Sequence, residues 1–240
     1  MIINHSRKFI FFANRKTAST SIAIALSSSC GKRDVITPLG KDESIRRELG
    51  YTSPRNFIPW WNYPKYLHAE LQSKLTKTSA NRALKKIGLH THISARDALR
   101  KRYISARTLD EYFTFCFIRN PWDHAVSEFF WLNRGEGPEL LPLEEFINGG
   151  KLEEWAVNCR RIYTIEGRLC VTRLCKYENA QSEIERIFKE LELSGNPQLP
   201  RAKGNIRKDR RPYRDILSQQ HAKTISRLFE YEIELGEYQF

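Results

Sequence analysis

Hydrophobic and polar positions along the chain alternate between short apolar runs and segments with helical spacing. Lys8-Phe9-Ile10-Phe11-Phe12-Ala13 and Tyr112 to Ile118 are continuous, aromatic and β-prone, as strands buried on both faces are. A third strand is predicted over Leu169 to Cys175. Each run leads into a helical pattern: Ile22, Ala25 and Leu26 after the first; Ala125, Val126, Phe129 and Phe130 after the second; Ile184, Ile187, Phe188 and Leu191 after the third. Ser94 stands where it can cap a helix carrying Ala95, Ala98 and Leu99. Leu143 to Asn148 and Leu152 to Cys159 read as short helices separated by Gly149-Gly150, and a last helix runs from about Ser218 to Glu234. Strand, loop and helix in alternation predict an α/β fold: a three-layer domain with a central parallel sheet flanked by helices.

Residues 31 to 88 break this alternation. Gly31 to Asp34 and Pro38-Leu39-Gly40 read as loop. Ile58-Pro59-Trp60-Trp61-Asn62-Tyr63-Pro64 sets aromatics between prolines, which argues against a regular helix there. Ala69 to Ile87 then reads as a basic helix. We take this region as an insertion within a single domain of residues 1–240. Trp60 and Trp61 either pack it onto the body or stack on a sugar or base.

Composition narrows the partners. The chain carries 40 Lys and Arg against 28 Asp and Glu, a net charge of +12, which calls for an anionic partner. Its five cysteines show no metal-ligand spacing and are expected to be buried, reduced thiols of a reducing, cytoplasmic compartment. No apolar run approaches the roughly 18 residues of a membrane span, and Phe9 to Ala13 is too short for a signal-peptide core.

The candidate chemistry lies at two strand-to-helix junctions. In Arg119-Asn120-Pro121-Trp122-Asp123-His124-Ala125-Val126-Ser127, Asn120 is a good N-cap, Pro121 suits the first helical position and Asp123 the first turn. Such a junction gathers N–H groups and a guanidinium, which suit a phosphate. The other is Asn14-Arg15-Lys16-Thr17-Ala18-Ser19-Thr20-Ser21, a basic, hydroxyl-rich loop before a helix. It lacks the glycines of a Walker A loop.

Together these two stretches resemble the signature elements of the sulfotransferases that use 3′-phosphoadenosine 5′-phosphosulfate (PAPS), most closely the carbohydrate, Golgi-type enzymes and their bacterial relatives. Arg15 to Ser21 is similar to the 5′-phosphosulfate loop, P-K-T-A/G-G/S-T-S, departing at Arg15, where the family often has Pro, and at Ser19, where it often has Gly. Arg119 to Ser127 matches the 3′-phosphate element, R-N-P-Y/W-D-x-x-V-S, at every fixed position. The resemblance covers the first 30 residues and about 88 to 240.

The resemblance implies a P-loop nucleotide-binding-like fold and sulfuryl transfer from PAPS to a hydroxyl, with a sugar or glycan as acceptor and PAP (adenosine 3′,5′-bisphosphate) as product. It implies that Arg15, Lys16, Thr17, Ala18, Ser19, Thr20 and Ser21 hold the 5′ end, and that Arg119 and Ser127 hold the 3′-phosphate. The family places a base before a helix, in a pattern H-x-x-A-R-x-x-R that His92 to Arg96 begins; His90 stands two residues too early. An imidazole titrates near neutral pH, as a general base should; a nearby carboxylate, Glu128 or Asp97, stays open as the alternative base. Late in the chain, Lys203 and Gly204 match the family's cofactor-closing loop, inside a basic stretch from Leu199 to Arg214. No metal is called for, and nucleic acid is not the expected partner. Two alternatives stay open: a P-loop-type nucleotide kinase, which would prefer ATP and need Mg²⁺, and a non-enzymatic binder of nucleic acid or anionic glycan, whose affinity would fall steeply with salt. The acceptor's identity and the oligomeric state stay open too.

Overall fold

The computed structural model describes residues 1–76, 87–135, 140–202, 207 and 209–240. It opens on a hairpin of β1 (Ile2–Asn4) and β2 (Phe9–Phe12), followed by α1 (Ser19–Ser27), β3 (Val35–Ile36), α2 (Glu43–Glu48) and α3 (Tyr63–Thr76). Next come α4 (Ala95–Arg100), α5 (Ala106–Glu111), β4 (Phe113–Ile118), α6 (Pro121–Leu132), α7 (Leu143–Asn148) and α8 (Lys151–Arg160). The chain continues through β5 (Thr164–Ile165), β6 (Arg168–Leu169), β7 (Arg173–Lys176), α9 (Ala180–Glu190), α10 (Tyr213–Ile216), α11 (Gln219–Leu228) and α12 (Glu230–Gly236).

The main sheet has the order β3-β1-β2-β4-β7. β2, β4 and β7 run parallel, with Phe12 beside Cys116 and Ile118 beside Lys176. The wholly parallel sheet expected from the sequence is therefore a mixed one, because β1 is antiparallel to both β2 and β3. The cause is local: the connection from β1 to β2 is too short for a crossover, and Lys8 adopts a left-handed φ of 49° within it. β3 also revises the reading of residues 31 to 88 as an insertion, since their first part edges the sheet and buries Val35, Ile36 and Leu39.

Alternation of side chains explains why the central runs are apolar throughout. Phe9, Phe11, Phe115 and Phe117 point to one face and pack with α1 and with Ile184, Ile187 and Phe188 of α9. Phe11 stacks on Phe115 with ring centroids 5.2 Å apart. Ile10, Phe12, Cys116 and Ile118 point to the other face and meet Ile93, Ala95, Ala98 and Tyr163. Each such fully buried side chain contributes about 1.5–3 kcal/mol. A third core joins α6, α7, α8 and α11 around Trp122, Phe146, Trp155 and Phe229.

Three predicted elements have different bounds. The strand over Leu169 to Cys175 divides into β6 and β7, because Cys170 N–H closes the small β5-β6 hairpin onto Tyr163 and Thr172 pairs with Thr114 through their hydroxyls and N–H groups. The last helix divides at Phe229, where the backbone leaves helical geometry as the ring enters the third core beside Trp155. The helix expected over Ala69 to Ile87 begins earlier, at Tyr63, with Pro64 tolerated in its first turn; residues 77–86 lie outside the described residues. Among the described residues, no helix is long and apolar enough to cross a membrane.

Candidate functional site

Because β2 and β4 are adjacent and parallel, the loops at their C-terminal ends lie side by side, in the crevice where open α/β sheets hold ligands. Between them opens a cavity of about 520 Å³. Of the residues singled out in the sequence, Arg15, Lys16, Ala18, Ser19, Thr20, Ser21, His92, Arg119 and Ser127 line it together. Thr17 does not: it is fully buried, and its hydroxyl donates to Asn14 O at 3.2 Å. Lys203 and Gly204 lie outside the described residues. Just before them, Ala202 lines the cavity and its N–H donates to Ser21 Oγ at 3.4 Å.

The loop after β2 is held from outside. Asn14 Nδ2 ties it to Phe117 O at the end of β4, at 3.3 Å. Its carbonyls accept from three distant side chains: Ala13 O from His92 Nδ1 at 2.7 Å, Arg15 O from His124 Nε2 at 2.7 Å, and Lys16 O from Arg119 Nη1 at 2.8 Å. With its carbonyls so engaged, the loop is held in one shape, and Arg15 N–H closes it further on Asn14 Oδ1 at 2.8 Å. Lys16 and Ala18 have φ of 55° and 54°, a left-handed backbone that costs a non-glycine residue about 1–2 kcal/mol. α1 then starts with no side-chain cap and no acidic residue in its first turn, so its first N–H groups and positive dipole end are directed at the cavity. Lys16 Nζ lies 4.4 Å from the centre of the Trp131 ring, which fixes the ammonium's direction.

The junction after β4 is held by its own residues. Asn120 caps α6, accepting from Asp123 N–H at 3.3 Å, and Pro121 takes the first helical position. Arg119 donates from Nε to Asp123 Oδ2 at 2.8 Å, and its guanidinium lies 4.2 Å from the centre of the Tyr177 ring. A guanidinium has five N–H donors, so the bonds from Nε, Nη1 and Nη2 still leave two for a ligand. Asp123 also accepts from Arg207 Nη1 at 3.0 Å. Two cations therefore share one carboxylate, and this corner of the cavity keeps a net positive charge.

Three further side chains set the proton chemistry. A carbonyl only accepts, so His92 donates from Nδ1, which leaves Nε2 as the basic nitrogen whenever the ring is neutral. His124 is buried against Trp155, with ring centroids 4.4 Å apart, and burial pushes its pKa down to about 3. It stays neutral and serves as a fixed donor to the loop. Glu128 lines the cavity at 6% exposure, and burial pushes its carboxyl up to about 7, against the pull of Lys16, Arg15 and Arg134.

Sequence reasoning missed Trp131, Tyr177 and Arg207 as lining residues; of the two carboxylates it held open as alternative bases, Glu128 lines the cavity and Asp97 does not. Trp131 had a signal, since it lies one helical turn beyond Ser127 on the same face of α6. Arg207 had one in lying within the basic stretch from Leu199 to Arg214; Tyr177 had none, because tertiary folding alone brings it to Arg119. Among the described residues, no residue from 31 to 88 lines the cavity. Trp60 is 79% exposed and Trp61 48% exposed, so neither is a fully buried anchor of that region. Also among the described residues, no group of three or more His, Cys, Asp or Glu side chains gathers as a metal site.

No family model matches the chain, and no solved structure matches it. An uncharacterized protein of Archaeoglobus fulgidus is 29% identical over 93 residues, which make up 38% of this chain and 76% of that protein.

Proposed function

We propose that this chain is a PAPS-dependent sulfotransferase of P-loop-like fold that moves a sulfuryl group to a hydroxyl acceptor, with a sugar or glycan as the acceptor class. One observation carries this reading: two junctions, joined at Lys16 and Arg119 across 103 residues, meet in one cavity, with Lys16 and the start of α1 on one side and Arg119 and Ser127 on the other. That pairing suits a ligand with two separate anionic groups on one nucleoside. The 5′-phosphosulfate would lie against Lys16 and the start of α1, and the 3′-phosphate against Arg119 and Ser127.

The reaction is an in-line displacement. The acceptor oxygen forms a bond to sulfur, and the bond from sulfur to the bridging phosphate oxygen breaks. The acceptor proton passes to His92 Nε2, and PAP leaves with the electron pair. Lys16 and the N–H groups of the loop counter the charge that grows on the bridging oxygen. The nearby cations supply this compensation, so the reading calls for no metal ion.

The test uses sulfur-labelled PAPS and a panel of glycans, with wild type and His92→Ala compared. Acceptor-dependent PAP release that falls by about 10²–10⁴-fold in His92→Ala, with PAP binding retained, supports the assignment. Wild-type turnover in that variant would remove His92 as the base. Phosphoryl transfer from ATP in place of sulfuryl transfer from PAPS would replace the reading with a kinase.

A further inference from the structure

Glu128 is the one acidic side chain that lines this cationic cavity, among the described residues. It sits on α6 directly after Ser127, is 6% exposed, and lines the cavity among Arg15, Lys16, Arg119 and Arg207. A carboxyl so largely removed from solvent is costly to ionise unless cations lie close to it. The groups that face it are Arg15 and Lys16 from the loop after β2, Arg134 beyond the end of α6, and the Cys159 thiol of α8. His92, Arg119 and Arg207 share its cavity. The cations are permanent near neutral pH, and burial keeps the thiol protonated. Glu128 is therefore the carboxyl that must change state when a polyanion arrives.

We infer that Glu128 is part of the donor site and binds the nucleotide together with a proton: it is ionised in the empty site above neutral pH and takes up a proton as the anionic ligand enters. This rests on the sulfotransferase reading and adds to it the identity of a residue that couples donor binding to pH. As a carboxylate, Glu128 would repel the ligand's phosphates and compete for Lys16 and Arg15. As a carboxylic acid, it becomes a hydrogen-bond donor beside them. The proton comes from solvent, and no other bond is made or broken. Burial pushes the empty-site value up to about 7, which places the change in the range where an enzyme works.

The consequence is a descending limb in the pH profile. His92 requires its neutral form for catalysis, so activity rises with pH, while donor affinity falls above about pH 7 as Glu128 ionises. The expected dependence of kcat/KM is then bell-shaped.

The test is calorimetric titration of PAP at pH 6.5, 7.5 and 8.5 in buffers of different ionisation enthalpy, with wild type and Glu128→Gln. Wild type should take up close to one proton per PAP at pH 8.5, and its affinity should fall about tenfold per unit above pH 7. Glu128→Gln should lose that uptake and hold its affinity level. Glu128→Ala repeats the comparison if the amide disturbs folding, as checked by its melting temperature. PAP binding with equal uptake in wild type and both variants would overturn this inference and leave the sulfotransferase reading standing. No binding of PAP at any pH would overturn both.

Discussion

The two junctions that frame the cavity do similar work by opposite means. The one after β4 supports itself: Asn120 caps, Pro121 starts the helix, and Asp123 holds Arg119 within one turn. The one after β2 has no side-chain cap, two left-handed non-glycine residues, and carbonyls held by His92, His124 and Arg119. The first is shaped mainly by its own residues, with Tyr177, Glu178 and Arg207 bracing it from outside. The second is a strained loop whose shape is imposed by distant side chains, so it is sensitive to changes far from it in sequence. On the proposed reading the difference also divides the chemistry: side-chain charge would anchor the ligand at the junction after β4, and Lys16 with the loop after β2 would meet the reacting end.

The sharpest test of this division is Lys16→Ala. Its charge matters most when the bridging oxygen becomes anionic, so turnover should fall by about 10²–10³-fold while PAP affinity falls much less. Stopped-flow or steady-state PAP release measures the first, and calorimetry the second. Equal losses in both would mean that Lys16 only anchors.

Arg119→Ala comes next, because Arg119 joins the junctions. Removing a hydrogen-bonded charge of this kind costs about 2–5 kcal/mol in binding, so PAP affinity should drop by at least about 30-fold. Arg119→Lys should not restore it, since one ammonium cannot both chelate Asp123 and reach Lys16 O.

His124→Phe separates the junctions by stability. It keeps the aromatic packing against Trp155 but abandons Arg15 O, at about 1–3 kcal/mol by denaturant titration, with weaker PAP binding. Asn120→Ala should cost about 1 kcal/mol. The variant also carries a pH signature. Burial holds His124 neutral down to about pH 3, whereas the unfolded chain binds that proton near pH 6.5. The unfolded state therefore gains protons first, and His124 makes the wild type lose about 1.4 kcal/mol per unit as pH falls below 6.5. Glu128 acts with the opposite sign. Its folded value is raised to about 7, so its contribution is lost as pH rises from about 4.5 to 7. The His124 term is accordingly read as the wild type minus His124→Phe between pH 7.5 and 5.5. No change in that difference would show that the ring is not held neutral.

The smallest effect is at Ala18. Gly relieves its left-handed φ of 54° and should stabilise the chain by up to about 1 kcal/mol, while Val there should destabilise it. Melting temperatures decide the sign.

The same contrast governs what could be read from sequence. The junction after β4 was legible in its own residues, because its cap, its proline and its Arg are consecutive, but not in Tyr177, which lies on Arg119. Lys16 and the hydroxyls of the β2 loop were legible as residue types. What makes that loop a cradle was not, since His92, His124 and Arg119 reach it from 79, 109 and 103 residues away. Thr17 shows the limit from the other side: its hydroxyl looked like a ligand group and instead closes the turn on Asn14. In the sheet, the parallel β2-β4-β7 core was legible from buried apolar runs. β1 and β3 were not, being only three and two residues long.

The central claim is that one cavity holds two separate phosphates, one at each junction. Calorimetric titration of wild type with PAP and with ADP tests it most directly, since both carry two phosphates on one adenosine and differ in where the second sits. The account predicts that PAP binds far more tightly, and at 100 times its dissociation constant adds about 2.7 kcal/mol of stability. It also predicts that Arg119→Ala removes the preference for PAP. Equal affinities for PAP and ADP in the wild type would contradict it.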